Sequence, residues 1–220
     1  MSTHMSHNAS ARRKFIKLAL AGTTVTGAGA FFRFSPALAQ TVVGEKVPQQ
    51  AVDTLLAGWP EKQQEVAKKI IDKYGLPNGG TTTNLVIWLD NGPWKYTILH
   101  REEVPHNFPI KHMDILEQAM SYRVPPGKVN ELAVYNGSVT VRRTQGAMVA
   151  MCDREEMNFL ALNLAHDIVT EKLSAAEARQ TYTTTAVAFL KGEKPPYTQG
   201  LQFQAPPGDT GDPDQVQVAM

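Results

Sequence analysis

Apolar positions recur along this chain with two periods, and the switches between them lay out its elements. Residues 60–74 carry Val66, Ile70, Ile71 and Tyr74 among lysines and glutamates, a spacing of three to four that lines one face of an α-helix. Pro60 suits the first helical position, while Gly75 and Pro77 stop the helix. A shorter helix is expected over 50–57. The period then drops to two: residues 83–90 and 94–101 are rich in β-branched and aromatic side chains and flank Asn91-Gly92-Pro93, which predicts a hairpin. Residues 102–110 read as a polar, proline-bounded loop, and Met113, Ile115, Leu116 and Met120 predict a helix ending near Tyr122.

Val124-Pro125-Pro126 interrupts the pattern, and a short helix follows over 127–135. Asn136-Gly137 leads into a second predicted hairpin, 138–143 and 147–153 about Thr144-Gln145-Gly146. Asp153 is expected to cap the next helix, whose apolar residues Met157, Phe159, Leu160, Leu162, Leu164 and Ile168 mark it as deeply buried. Ser174 with Glu177 forms a capping box for a last helix running to about residue 191. The expected fold is a single α+β domain over 59–192, two antiparallel β-hairpins forming one sheet packed against about five helices. An arm over 40–58 precedes it. A tail over 193–220, rich in Pro, Gly, Gln and Asp, has the composition of a disordered segment.

Charge separates the first 39 residues from the rest. They hold five of the 22 basic residues and none of the 21 acidic ones, leaving 17 basic against 21 acidic beyond. A basic start, a weakly apolar stretch over 18–32 and Ala37-Leu38-Ala39 make a cleavable secretory signal ending at Ala39. The stretch is shorter than the roughly 20 apolar residues that span a bilayer. Arg12, Arg13, Phe15 and Lys17 resemble the twin-arginine (Tat) export signal, with Ala11 standing where Ser or Thr is usual. The resemblance implies passage through the Tat translocase in a folded state, delivery to the periplasm, and a passenger that holds a cofactor inserted before export, rides with a partner that does, or simply folds fast. No cysteine follows the cleavage site, so no lipid anchor and no membrane association after cleavage are expected.

The mildly acidic remainder argues against a nucleic-acid partner, which calls for a clustered basic face. Cys152 is the single cysteine, so an intrachain disulfide is excluded. His100, His106 and His112 lie beside Glu102, Glu103 and Asp114, a set suited to a metal ion or to acid–base work. Their spacing of six puts no two on one helical face. The ordinary alternative is a rigid polar loop held by Pro105 and Pro109, with Phe108 plugging the core. Met148 and Cys152 share one strand face but lie too far apart to hold an ion alone, so a soft-metal site needs Met157 or His166 brought in, and a thiolate needs Cys152 paired with His166. No haem-attachment, nucleotide-binding or serine-hydrolase motif is present, and no cofactor is evident. Trp88 and Trp94 flank the first turn, as core residues or as a contact for a protein partner.

Residues 101–109, 122–126 and 155–168 resemble bacterial exported proteins to which no activity attaches, so no catalytic residue carries over. The small subunits of Tat-exported membrane dehydrogenases resemble the chain in signal and size, but they are mostly helical. The expectation is therefore an exported ligand-binding or accessory module. The alternatives are a small metal-dependent enzyme using the His100 to His112 loop, and an accessory subunit of a Tat-exported oxidoreductase.

Overall fold

A computed structural model describes residues 45–80, 84–205 and 210–218. The signal residues Arg12, Arg13, Phe15, Lys17, Ala37 and Ala39 lie outside that range. The order is α1 (Gln49–Leu56), α2 (Glu61–Tyr74), β1 (Gly79–Gly80), β2 (Leu85–Asn91), β3 (Trp94–His106), β4 (His112–Ser121), α3 (Val129–Tyr135), β5 (Val139–Arg142), β6 (Ala147–Cys152), α4 (Glu155–Val169), α5 (Ala175–Leu190) and α6 (Pro196–Gln199). All strand pairs are antiparallel, in one sheet ordered β1-β2-β3-β4-β6-β5. The chain is an α+β protein.

Both predicted hairpins form. In the first, Asn91 pairs with Trp94 around Gly92, whose φ of 65° is the left-handed conformation that glycine accepts most readily. The expected helix at 113–122 is instead β4, a central strand between β3 and β6. Ile115, Leu116, Ala119 and Met120 are all buried, on both sides of the strand, and this two-sided burial erases the alternation that marks a half-exposed strand. Asp153 does not cap α4 either. Its carboxylate accepts from Arg154 Nε at 2.9 and 3.0 Å, and Arg154 occupies the cap position without a side-chain capping bond to the helix. The Ser174–Glu177 capping box on α5 is complete.

Partners in an antiparallel ladder share a face. Val86, Leu99, Leu116 and Cys152 lie on one such row, and Trp88, Thr97, Gln118, Ala150 and Val139 on the next. This face meets the helices in two apolar clusters, one with α1 and α2 around Trp88, Leu99 and Leu116, the other with α4 and α5 around Trp94, Met148 and Leu160. A buried polar chain runs along the same face. Asn91 donates to Thr97 Oγ1 at 2.9 Å, Gln118 to Glu155 at 3.1 Å, and Asn158 to Gln118 Oε1 at 3.0 Å and to the Leu116 carbonyl at 2.9 Å. Each donation satisfies a group whose burial without a partner would be costly.

One irregularity positions the site. Leu99 pairs with Leu116, but the next pair is Val104 with Asp114, so β3 carries three more residues than β4 across this step. Leu99 and His106 are seven residues apart, an odd number that in an unbroken strand sends side chains to opposite faces. The bulge restores the match, and His106 pairs with His112 on the face that already holds Leu116 and Cys152.

The start of the expected disordered tail is packed. Asn163 donates to the carbonyls of Tyr197 at 3.0 Å and Gly200 at 2.9 Å, and Phe203 stacks on His166 with ring centroids 4.0 Å apart. Arg143 forms an ion pair with Asp214, and Arg123 donates to the Gly211 carbonyl at 2.9 Å.

Candidate functional site

His106 and His112 face each other across the β3–β4 ladder, and Asp114 follows two residues along β4 on the same face. His106 Nδ1 lies 3.2 Å from Asp114 Oδ2, and His112 Nε2 lies 3.1 Å from Oδ1. Asp114 is only 1% exposed. Ser138, at the entry to β5, donates to Oδ2 through its hydroxyl, and its Oγ is 3.3 Å from His106 Nδ1. No hydrogen bond reaches Oδ1 despite the neighbouring imidazole. His112 Nε2 is instead hydrogen-bonded with Cys152 Sγ at 3.3 Å, and His112 Nδ1 donates to the Ile110 carbonyl at 2.8 Å.

These contacts set the charge of the site. Asp114, then Cys152, push the His112 imidazole up to about 11 against the desolvation that opposes them. Burial pushes the Cys152 thiol upward, and the hydrogen bond to His112 only partly opposes it. Tyr182 is buried next to this group, its hydroxyl also pushed up by burial, and its ring packs at a tilt on Phe108, over which the Arg179 guanidinium lies at 3.8 Å.

His112 and Cys152 form the floor of a cavity of about 210 Å³ between the β4 and β6 ends and α5. Ile110, Met157, Ala186 and Leu190 give it apolar walls, and Lys111 and Arg154 are the cations on its lining.

The remaining sequence candidates fall elsewhere. His100 sits on β3 with its Nε2 buried and without a hydrogen bond, 3.9 Å from Glu117, and burial holds its pKa below the usual value. Glu102 and Glu103 are exposed in the bulge, where Glu103 accepts from Gln63 at 3.3 Å. His166 does not pair with Cys152: its Nδ1 bonds the Tyr122 hydroxyl at 2.9 Å and its ring lies under Phe203. Trp88 and Trp94 are 0% and 1% exposed, so neither presents a surface to a partner. Trp88 donates to the Gly75 carbonyl at 2.9 Å, and Trp94 donates to Glu155 at 2.6 Å and stacks on Phe159. Sequence reasoning missed Ser138 and Tyr182, which reach the site from distant elements. Asp114 was visible only as a neighbour, because its alternation with His112 becomes a signal once β4 is read as a strand.

Comparison with protein families, with curated proteins and with solved structures finds no match to this chain. Among the described residues, no helix is long and apolar enough to cross a membrane.

Proposed function

We propose that this chain is a Tat-exported periplasmic binding module whose ligand is a small molecule with an apolar body and an anionic head group. The observation that carries this reading is the cavity itself, which has hydrocarbon walls and a floor made by the side chains of His112 and Cys152. Lys111 and Arg154 add positive charge to its lining, offset only by Asp153, which Arg154 already binds. An apolar tail gains by leaving water, at about 25 cal/mol per Å² buried. The head group meets a positive field.

Calorimetric titration with hexanoate and with hexylamine tests the reading. Hexanoate is expected to bind and hexylamine not to. Leu190 lines the cavity and is 51% exposed, so its replacement leaves the core intact. Leu190→Glu is expected to weaken hexanoate binding and Leu190→Lys to strengthen it. Equal binding of acid and amine, or indifference to both replacements, would count against the proposal. For the export step, Arg12→Lys combined with Arg13→Lys is expected to leave the precursor uncleaved in the cytoplasm. Periplasmic recovery of that variant would remove the Tat assignment.

A further inference from the structure

We propose that His106 Nδ1, His112 Nε2 and the Asp114 carboxylate form a binding site for one divalent transition-metal ion of the zinc class. The inference goes beyond the cavity reading and does not depend on what the cavity holds.

The first support is spacing. The donor atoms of the three residues all lie within 4.8 Å of one another, with the two nitrogen–oxygen approaches at 3.1 and 3.2 Å. Two ligands bonded to zinc at about 2.0–2.1 Å stand roughly 2.9 Å apart at a right angle and about 3.3–3.4 Å apart at a tetrahedral angle. The two observed approaches, His112 Nε2 to Oδ1 and His106 Nδ1 to Oδ2, fall within that interval.

The second support is independent of spacing. Asp114 is almost fully buried, and its Oδ1, 3.1 Å from His112 Nε2, receives no hydrogen bond. A buried carboxylate oxygen without a donor is expensive, and an ion seated among the three groups would satisfy it. The surrounding contacts are those expected around metal ligands. His112 donates its other ring nitrogen to the Ile110 carbonyl, which fixes the tautomer that leaves Nε2 for the ion, and Ser138 holds the second oxygen of Asp114.

The donor set selects the metal class. Two imidazoles and one carboxylate suit zinc, cobalt, iron, nickel or copper better than calcium or magnesium, which prefer oxygen throughout. Cys152 Sγ falls outside the compact trio although it touches His112 Nε2. Three protein ligands leave a coordination position for water or another small ligand, the arrangement of a reactive rather than a purely structural zinc site. His112 is the one member of the trio that also lines the cavity.

The test uses the purified full chain, stripped with chelator and titrated separately with Zn²⁺ and Co²⁺ with no organic ligand present. One equivalent of each ion is expected to bind, and Co²⁺ is expected to show visible bands of nitrogen–oxygen coordination. His106→Gln and Asp114→Asn are expected to lower affinity at least about 100-fold, and Ser138→Ala about 10-fold. His100→Ala and Cys152→Ser are expected to bind as the parent does. Should Asp114→Asn fail to fold by circular dichroism, His106→Gln carries the test, because His106 lies near the end of the ladder. A folded parent that takes up neither ion overturns the proposal. So does binding unchanged in His106→Gln, or a thiolate-to-cobalt charge-transfer band that Cys152→Ser abolishes. Because hexanoate is absent throughout, failure here is separate from failure of the cavity reading.

Discussion

Glu155 gathers more polar contacts than any apolar pattern around it suggests. Its Oε1 accepts from the Trp94 indole at 2.6 Å, the Tyr74 hydroxyl at 2.8 Å and Gln118 at 3.1 Å, while Lys73 pairs with Oε2. Burial, then the Glu155 charge, drive the Tyr74 hydroxyl well above its usual pKa, so it remains a donor. Removing the carboxylate strands several buried donors together. Glu155→Ala is expected to lower stability by about 3–5 kcal/mol, read as an earlier urea midpoint. A loss under about 1 kcal/mol would mean that the donors find water, which requires a roomy polar site. None of this was legible in the sequence, where Glu155 reads as one of two carboxylates suited to a helix start. Its partners come from α2, β3 and β4, and nothing local announces them.

At the scale of elements, signals carried by adjacent residues translated well and signals that depend on neighbours did not. The Ser174 cap lies in four consecutive residues and forms as read. Ser174→Ala is expected to cost about 1 kcal/mol in a denaturant melt, and an unchanged midpoint would show α5 to be held by packing alone. Strand β4 was misread because a strand flanked on both edges and buried on both faces loses its period of two. The docked segment after α6 escaped notice for a related reason, since its polar backbone is satisfied by Asn163 of α4 rather than by its own pattern.

That segment also has a pH dependence with a definite sign. Burial, with help from Lys172, holds the His166 pKa below 6.5, against a smaller upward pull from Asp167. A group whose folded pKa is depressed contributes stability that is complete above its unfolded value and is lost as pH falls through the folded one. The ring hydrogen-bonds with the Tyr122 hydroxyl and stacks on Phe203 in its neutral form, so acidification below pH 6.5 is expected to loosen residues 200–205 from α4. The thermal midpoint of the parent should fall between pH 7.5 and pH 5 by more than that of His166→Gln. Parallel profiles for the two proteins would dismiss the coupling.

At the scale of the whole molecule, the α+β class and both hairpins were legible, and the site was legible only as an inventory. His106, His112 and Cys152 stood out by residue type, but their meeting depends on which strands are neighbours and on where a bulge falls. Sequence spacing of six was judged against the helical period, whereas the operative geometry is a cross-strand pair at the mouth of a short loop. The C-terminal segment adds a second long-range dependence. Gly146, with φ at 58°, lies so close to the Thr210 carbonyl that a Cβ on it would sit 1.6 Å from that oxygen. Gly146→Ala is expected to displace residues 210–214 and expose Arg143 to solvent, seen as faster proteolysis near the C-terminus. Unchanged cleavage would show that the turn yields instead.

The bulge in β3 gives the molecule something like a reading frame in space. His106 meets His112 because the strand carries an odd number of surplus residues between Leu99 and Val104. Deleting Glu102 alone would spare every proposed ligand and every core residue. It would also change the parity, so His106 would turn to the opposite face while His112 and Asp114 stayed in place. Deleting Glu102 and Glu103 together would restore the phase. The one-residue deletion should therefore be more damaging to metal uptake than the two-residue deletion, an ordering that a site assembled from a flexible loop would not produce.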